Sequence, residues 1–201
     1  MTAAHGVVAS QDEDAAVIGR SWHEPDQFKV IYDRYFPQIY RYVAGRLGRD
    51  VADDVAAETF LTAFRKRDRF DPERGAVRPW LFGIATNLVG QYRRDESRRY
   101  AALARLGGDT AGGEHEERVA ARVTAEGVRP RLAQALAALP EGDRDVLLLV
   151  ALGGLGYEEA AQALEIPGGT VGSRLSRARK KLREALGGTD PTSTEEQKSH
   201  G

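Results

Sequence analysis

A dense set of cationic and hydroxyl side chains near the end of the sequence could bind the phosphates and base edges of duplex DNA. Two further arginines, Arg179 and Arg183, flank this set, and Glu184 is the only acidic residue in the stretch. A helix with one apolar side and one cationic side fits the major groove, where its first residues face bases and later ones face phosphates. The alternative is a solvated surface on an ordinary core helix, which the charges alone would favour. The candidate residues are Thr170, Ser173, Arg174, Arg177, Lys180 and Lys181.

The residues around this set decide between the two interpretations, because they have the layout of a helix-turn-helix. Ala160 and Ala161 are small where two helices must approach each other, and residues 167–169 (PGG) supply the turn. Thr170 is expected to cap the second helix. DNA binding is therefore favoured. The buried side of that helix is expected to consist of Val171, Leu175, Ala178, Leu182 and Leu186.

A second set, in the first half of the chain, combines aromatic rings with cations. Rings on which bases stack and charges that follow the backbone are what unpaired nucleic acid needs. Asn87 adds a donor and an acceptor that could read a base edge. Trp80 and Phe82, taken alone, are more typical of a core. The candidates for contact with DNA are Phe70, Arg74, Arg78, Trp80, Asn87, Arg93 and Arg94.

Three acids, Asp53, Asp54 and Glu58, lie on the helix expected before this set. Acids in a first helical turn stabilise the helix and are usually solvated. They could also meet a basic partner surface. The residues leave both interpretations open.

Nothing in the sequence indicates catalysis, a metal or a cofactor, and we predict that the chain is not an enzyme. It contains no cysteine, and its four histidines lie in the expected tails and linker. No phosphate-binding glycine loop and no nucleophile paired with a base is present. There is neither a signal peptide nor an apolar run of the roughly 20 residues that span a bilayer. We therefore expect a cytoplasmic protein without membrane insertion.

The elements that must position these residues are all helical. Apolar residues recur at helical spacing from Phe28 to Leu47, and Pro37 is expected to kink or restart that helix. The pattern predicts an all-α chain of two small domains, residues 25–100 and 128–187. Residues 1–24 and 188–201 are predicted to be loose tails, and residues 101–127 a flexible, mildly acidic linker. A surface helix over residues 114–126 is the alternative for part of that linker.

Six segments together resemble the extracytoplasmic-function (ECF) sigma factors of bacterial RNA polymerase. Residues 51–60 (VADDVAAETF), 70–75 (FDPERG) and 79–88 (PWLFGIATNL) are similar to sigma region two. Residues 139–147 (LPEGDRDVL), 157–161 (YEEAA) and 166–179 (IPGGTVGSRLSRAR) are similar to region four. They occur in the family's order and cover most of the chain from Phe28 to Leu186.

The resemblance implies roles that the residues alone do not give. The helix with Asp53, Asp54 and Glu58 would contact a clamp helix pair of core RNA polymerase. The loop from Phe70 to Arg78 and the next helix, with Asn87, would engage the minus-10 promoter element and hold a flipped base. Ser173, Arg174 and Arg177 would read the minus-35 element as duplex, and the linker would thread the polymerase channel. Many family members are held inactive by an anti-sigma factor, and whether this chain has one stays open.

Four positions depart from the family's pattern. Ala57 stands where glutamine is common, which weakens a specific polymerase contact there. Gly172 and Ser176 replace larger side chains on the groove-facing side of the last helix, so promoter preference is expected to be unusual. Gly156 replaces the usual serine cap at little cost.

Two rival functions each account for part of the sequence. A stand-alone helix-turn-helix regulator explains the second domain but leaves the aromatic and basic loop of the first without a role. Such regulators are normally dimers that bind paired half-sites, and nothing in the sequence resembles a dimer seam. The other rival is a helical adaptor whose basic surfaces are only solvated.

Overall fold

A computed structural model describes residues 13–106 and 128–187 of the chain. These residues form helices and turns and contain no β-strand, which confirms the all-α fold class. The helices are α1 (residues 13–20), α2 (Phe28–Leu47), α3 (Ala52–Arg65), α4 (Val77–Leu106), α5 (Val128–Ala137), α6 (Glu141–Ala151), α7 (Tyr157–Leu164) and α8 (Gly168–Ala185). Short 3-10 turns at Pro25–Gln27, Arg49–Val51 and Arg67–Arg69 precede or follow α2 and α3.

The first domain packs α2, α3 and α4 around one apolar core. Ile31, Ile39 and Val43 recur along α2 at helical spacing and are fully buried. Helix α2 does not restart at Pro37, since it runs from Phe28 to Leu47 without a break. It ends at Gly48, whose φ of 90° is a conformation that glycine adopts without strain. The long α4 places both the loop before it and the residues along it at fixed positions on this core.

The predicted tail is wrong for residues 13–20, which form a helix of the first domain. Val17 and Ile18 of α1 are buried in the core. Asp14 is also buried and accepts hydrogen bonds from the Tyr35 hydroxyl and the Arg34 guanidinium. Burial, and then this bond to a carboxylate, raise the pKa of Tyr35. Residues 1–12 of the predicted tail lie outside the described residues.

The second domain consists of α5 to α8, and α7 and α8 form the expected helix-turn-helix. Val171, Leu175, Ala178 and Leu182 are buried on one side of α8, as the spacing predicts. Gly156 precedes α7, and its N–H donates to the Glu159 carboxylate at 2.9 Å. Helix α8 packs against α5, α6 and α7.

The two domains share one continuous core. Phe82, Ala85 and Val89 of α4 belong to the same buried cluster as Leu149 and Ala160 of the second domain. Residues 101–106, expected in the linker, continue α4, and residues 107–127 lie outside the described part of the chain. Among the described residues, no helix is both long enough and apolar enough to cross a membrane.

Replacement of Ile18 tests whether α1 is part of the folded domain. Ile18 is 1% exposed, so I18A should lower the free energy of unfolding by about 2–4 kcal/mol through the lost burial and the cavity left behind. Denaturant unfolding followed by circular dichroism measures this change. The control is V30A, which truncates a side chain that is 40% exposed and should change little. Equal, small effects of both variants would contradict the docking of α1.

Candidate nucleic-acid interface

Helix α8 begins two residues earlier than the sequence indicates. Its first residue is Gly168, and Pro167 takes the capping position without a side-chain hydrogen bond. The predicted cap at Thr170 is therefore wrong, because Thr170 already lies inside the first turn and its N–H donates to the Pro167 carbonyl at 2.9 Å. The Ser173 hydroxyl donates to the Thr170 carbonyl at 3.0 Å.

The cationic face of α8 is the surface formed by Ser173, Arg174, Arg177, Lys180 and Lys181. Positions three and four residues apart share one side of a helix, so the five residues lie on one surface. Ser173, Arg177, Lys180 and Lys181 are exposed, and Arg174 is half-buried. The opposite side of α8 is the buried seam of the domain. The structure therefore brings these candidates together where a groove of duplex DNA could reach them.

Helix α6 contacts two arginines of this face, which the sequence does not reveal. The Arg177 guanidinium donates to both oxygens of Asp143, at 3.0 and 3.2 Å. Asp143 is buried, and its hydrogen bond raises the pKa of Arg177. The Arg174 guanidinium lies over Gly142, where a Cβ atom would be 2.6 Å from its Nη1. The first turn of α6 thus binds Arg177 and leaves space for Arg174.

In the first domain, Phe70 is not a stacking surface. It is 9% exposed and packs against Trp80, with ring centroids 5.1 Å apart. Phe82 is fully buried and meets the Tyr42 ring edge to face, as expected of a core residue. Trp80 is half-buried. Phe70 and Phe82 are therefore packed in the core, and the half-buried Trp80 stays a candidate for contact with a base.

Arg74 and Asn87 are exposed, as residues that bind DNA must be. The loop that carries Arg74 is closed by Asp71, whose side chain accepts from the Glu73 N–H at 3.0 Å and whose carbonyl accepts from the Arg74 N–H at 3.1 Å. This is the turn predicted from the residues at 71–75. Asn87 lies farther along α4, on its exposed side.

The other three candidates of the first domain contact the second domain or the interior. Arg78 donates to Glu159, and Arg94 pairs with Glu141 at 3.2 Å. Arg93 donates to the Arg46 carbonyl at 2.8 Å. Burial, and then the nearby cations Arg144 and Arg46, lower the pKa of Arg93 to about 10. In this arrangement Arg93 is turned inward, so it does not offer its charge to a phosphate.

The acids of α3 share a surface with an apolar residue that the sequence analysis missed. Asp53, Asp54 and Glu58 are exposed, and Glu58 lies 3.9 Å from Arg65. Leu61, one turn beyond Glu58, is 41% exposed. A single exposed apolar side chain is common on protein surfaces, so the structure leaves both interpretations of the acids open. Within residues 13–106 and 128–187, no cluster of acids or histidines is arranged to hold a metal ion.

Comparison with known proteins matches both halves of the chain. Residues 31–99 match the family model for sigma-70 region 2, and residues 129–182 match the model for sigma-70 region 4. The ECF RNA polymerase sigma factor SigW of Bacillus subtilis is 32% identical over 176 residues, which cover 81% of this chain and 90% of SigW. The ECF RNA polymerase sigma-E factor of Escherichia coli is 31% identical over 161 residues, 77% of this chain and 84% of that protein.

A solved structure is also similar. The structure of CnrH in complex with the cytosolic domain of CnrY is 28% identical in sequence and superimposes with a TM-score of 0.60. The match covers 87% of this chain and 97% of the CnrH chain. The similarity therefore extends across both domains.

The burial of Phe70 predicts a loss of stability when its ring is removed. F70A should lower the free energy of unfolding by about 3 kcal/mol, because truncation of a buried phenylalanine leaves a cavity beneath Trp80. R74A, in the exposed loop four residues later, should change it by less than about 0.5 kcal/mol. Thermal and denaturant unfolding of the two variants measure the difference. A stable F70A protein would restore Phe70 as a candidate for direct stacking.

Proposed function

The chain belongs to the ECF sigma factors, and we propose that its two helical domains divide promoter recognition between them. It is an alternative sigma factor, which binds core RNA polymerase and directs promoter-specific initiation of transcription. The proposed division assigns the minus-10 element to the first domain and the minus-35 element to the second. The observation that carries it is the order of the two matches, region 2 over residues 31–99 and region 4 over residues 129–182.

In the second domain, the first turns of α8 read bases and its later turns bind phosphates. Ser173 and Arg174 lie near the start of the helix, where side chains reach base edges in the major groove. Lys180 and Lys181 lie two turns later and bind the backbone. Arg177 lies between them, and its bond to Asp143 orients the guanidinium before DNA arrives. Gly172 contributes no side chain to base reading, so Ser173 and Arg174 carry most of the specificity.

In the first domain, the exposed residues of the loop and of α4 engage the minus-10 element. Arg74 binds the backbone of the melted strand, and Asn87 reads a base edge. A base that leaves the stack needs a formed pocket, and the packed pair of Phe70 and Trp80 keeps the loop in place for it. Three further arginines contribute to DNA binding once they release the protein groups that they now contact: Arg78, Arg93 and Arg94.

The face of α3 binds core polymerase. Asp53, Asp54 and Glu58 supply charge, and exposed Leu61 supplies the apolar contact. The predicted path of the linker through the polymerase channel concerns residues that the structure does not describe. We infer that the chain acts as a non-enzymatic initiation factor in the cytoplasm, where the polymerase supplies the catalysis.

The stand-alone regulator is not favoured, because a duplex-binding regulator gives the region-2 domain no role. CnrH has been solved in complex with a partner, the cytosolic domain of CnrY. By analogy with that relative, we propose that a comparable protein partner regulates this chain. Whether that partner is an anti-sigma factor stays a prediction of the family resemblance.

Run-off transcription tests the proposed function. The purified chain, sigma-free core polymerase and promoter fragments should give transcripts that are absent without the chain. N87A should reduce them about tenfold, the effect of losing a base contact worth about 1–3 kcal/mol. The control is Gln91→Ala, which removes another exposed amide one turn along α4. Tight duplex binding without polymerase, together with no transcript, would instead identify a stand-alone regulator.

The salt dependence of promoter binding tests the proposed phosphate contacts. K180A should weaken binding of the holoenzyme to all promoters alike and reduce the slope of log K against log salt by about 0.9, since one counterion release is lost. Filter binding or fluorescence anisotropy over a range of salt concentrations measures the slope. R131A removes an exposed cation from α5 and should leave the slope unchanged. A preserved slope in K180A would remove Lys180 from the interface.

A further inference from the structure

Asp143 of α6 binds one edge of the Arg177 guanidinium within the cationic face of α8. Both carboxylate oxygens take part, since one accepts from Nη2 at 3.0 Å and the other from Nε at 3.2 Å. A guanidinium has five N–H donors in a fixed plane, and this bidentate contact occupies two of them. The donors on Nη1 and the second donor on Nη2 have no partner among the described residues. They form a free edge of the same plane.

The two partners differ in exposure, and this difference decides whether DNA can separate them. The Asp143 side chain is 6% exposed, whereas that of Arg177 is 56% exposed. Arg177 could be hydrated without its partner, but Asp143 would become a buried charge that no other described side chain neutralises. Loss of one partner from such a pair is strongly destabilising for this reason. A phosphate that drew Arg177 away would have to offset this cost, so DNA meets the free edge of an intact pair.

The pair also changes the charge that Arg177 presents to DNA. A cation that binds a phosphate releases a counterion, which strengthens binding to every sequence alike. A cation that a carboxylate already neutralises has little of this effect, whereas its free edge can still donate to two acceptors on one base. Lys180 is different, since its only carboxylate partner, Glu184, lies 4.0 Å away and both side chains are exposed. Such a contact hardly reduces the charge that a phosphate meets.

From the bidentate contact and the burial of Asp143 against an exposed arginine, we propose that Asp143 determines the DNA specificity of the second domain. It is a positioning residue, which acts through Arg177 and does not touch DNA. It holds the guanidinium in one orientation for base reading, and it lowers the affinity of the domain for DNA of any other sequence. The inference rests on the proposed minus-35 role of Arg177.

D143N tests both parts of this role, because asparagine keeps the shape of Asp143 and one acceptor but removes the charge. The holoenzyme is bound to a promoter fragment that gives run-off transcripts and to the same fragment with its minus-35 element scrambled. D143N should bind the scrambled fragment roughly three- to tenfold tighter, with a slope of log K against log salt steeper by up to about 0.9. Its preference for the intact element should fall about tenfold, since Arg177 is no longer held in one orientation. A merely structural role would instead weaken binding to both fragments together.

Three further variants separate charge from orientation. E184Q removes an acid beside Lys180, so it should strengthen binding to both fragments equally and leave the preference unchanged. D143E keeps the charge but displaces the carboxylate by one carbon, so the preference should fall at an unchanged salt slope. This variant decides the question if D143N does not fold. R177K lacks the planar fork, so D143N should lower the preference no further when it is combined with R177K.

The parent holoenzyme distinguishes failure of this role from failure of the proposed function. If the parent discriminates between the two fragments, an unchanged preference in both D143N and D143E would overturn the role of Asp143 alone. Equal binding of the parent to both fragments would refute minus-35 reading by the second domain, and the role of Asp143 would fall with it.

Discussion

The crossing of α4 and α7 at Gly83 is the constraint on which the present arrangement depends. Two helices that approach to backbone contact bury the apolar residues around the crossing, here Phe82 and Ala160, in one continuous core. That burial makes two small domains into a single unit, although each has its own helical seam. A side chain larger than hydrogen at residue 83 would separate the backbones and expose the same surfaces. The packing of the two domains on each other thus depends on the absence of a Cβ atom at residue 83.

The polar contacts follow from that crossing. Once α7 lies on α4, the carboxylate of Glu159 and the carbonyls after α6 come within reach of Arg78, and Asp145 comes within reach of Arg46. These groups would be hydrated if the domains separated, so they direct how the domains meet more than they stabilise the meeting. Arg78 therefore has two possible sets of acceptors, carboxylate and carbonyl oxygens within the chain or phosphate oxygens of DNA. Only one set can be bound at a time.

Sequence reasoning predicted most of the helices and the side of α8 that faces outward, because apolar residues at helical spacing mark a buried seam directly. It missed α1, since the apolar run of residues 15–18 (AAVI) is too short to show a helical period. It placed Phe70 among the DNA ligands because the sequence does not distinguish an exposed aromatic residue beside arginines from one that packs on Trp80. The pairing of Arg177 with Asp143, 34 residues away, leaves no local pattern. The contact between Gly83 and Ala163 leaves no local pattern either, since a glycine within a helix indicates only a lower helix propensity.

The start of α8 shows how the domain compensates for a weak helix end. Gly168, Gly169 and Gly172 lie in its first two turns, and no side chain caps it. Glycine within a helix costs roughly 1 kcal/mol relative to alanine, so these turns would fray if they depended on propensity alone. They are held instead from the side, by buried Val171 and by Asp143 in the first turn of α6, which binds Arg177. A base-reading end that is ordered by a neighbouring helix keeps its groove-facing surface free of bulky side chains. In the proposed function, recognition by this domain then depends on how Asp143 of α6 positions Arg177, more than on the number of residues that α8 presents.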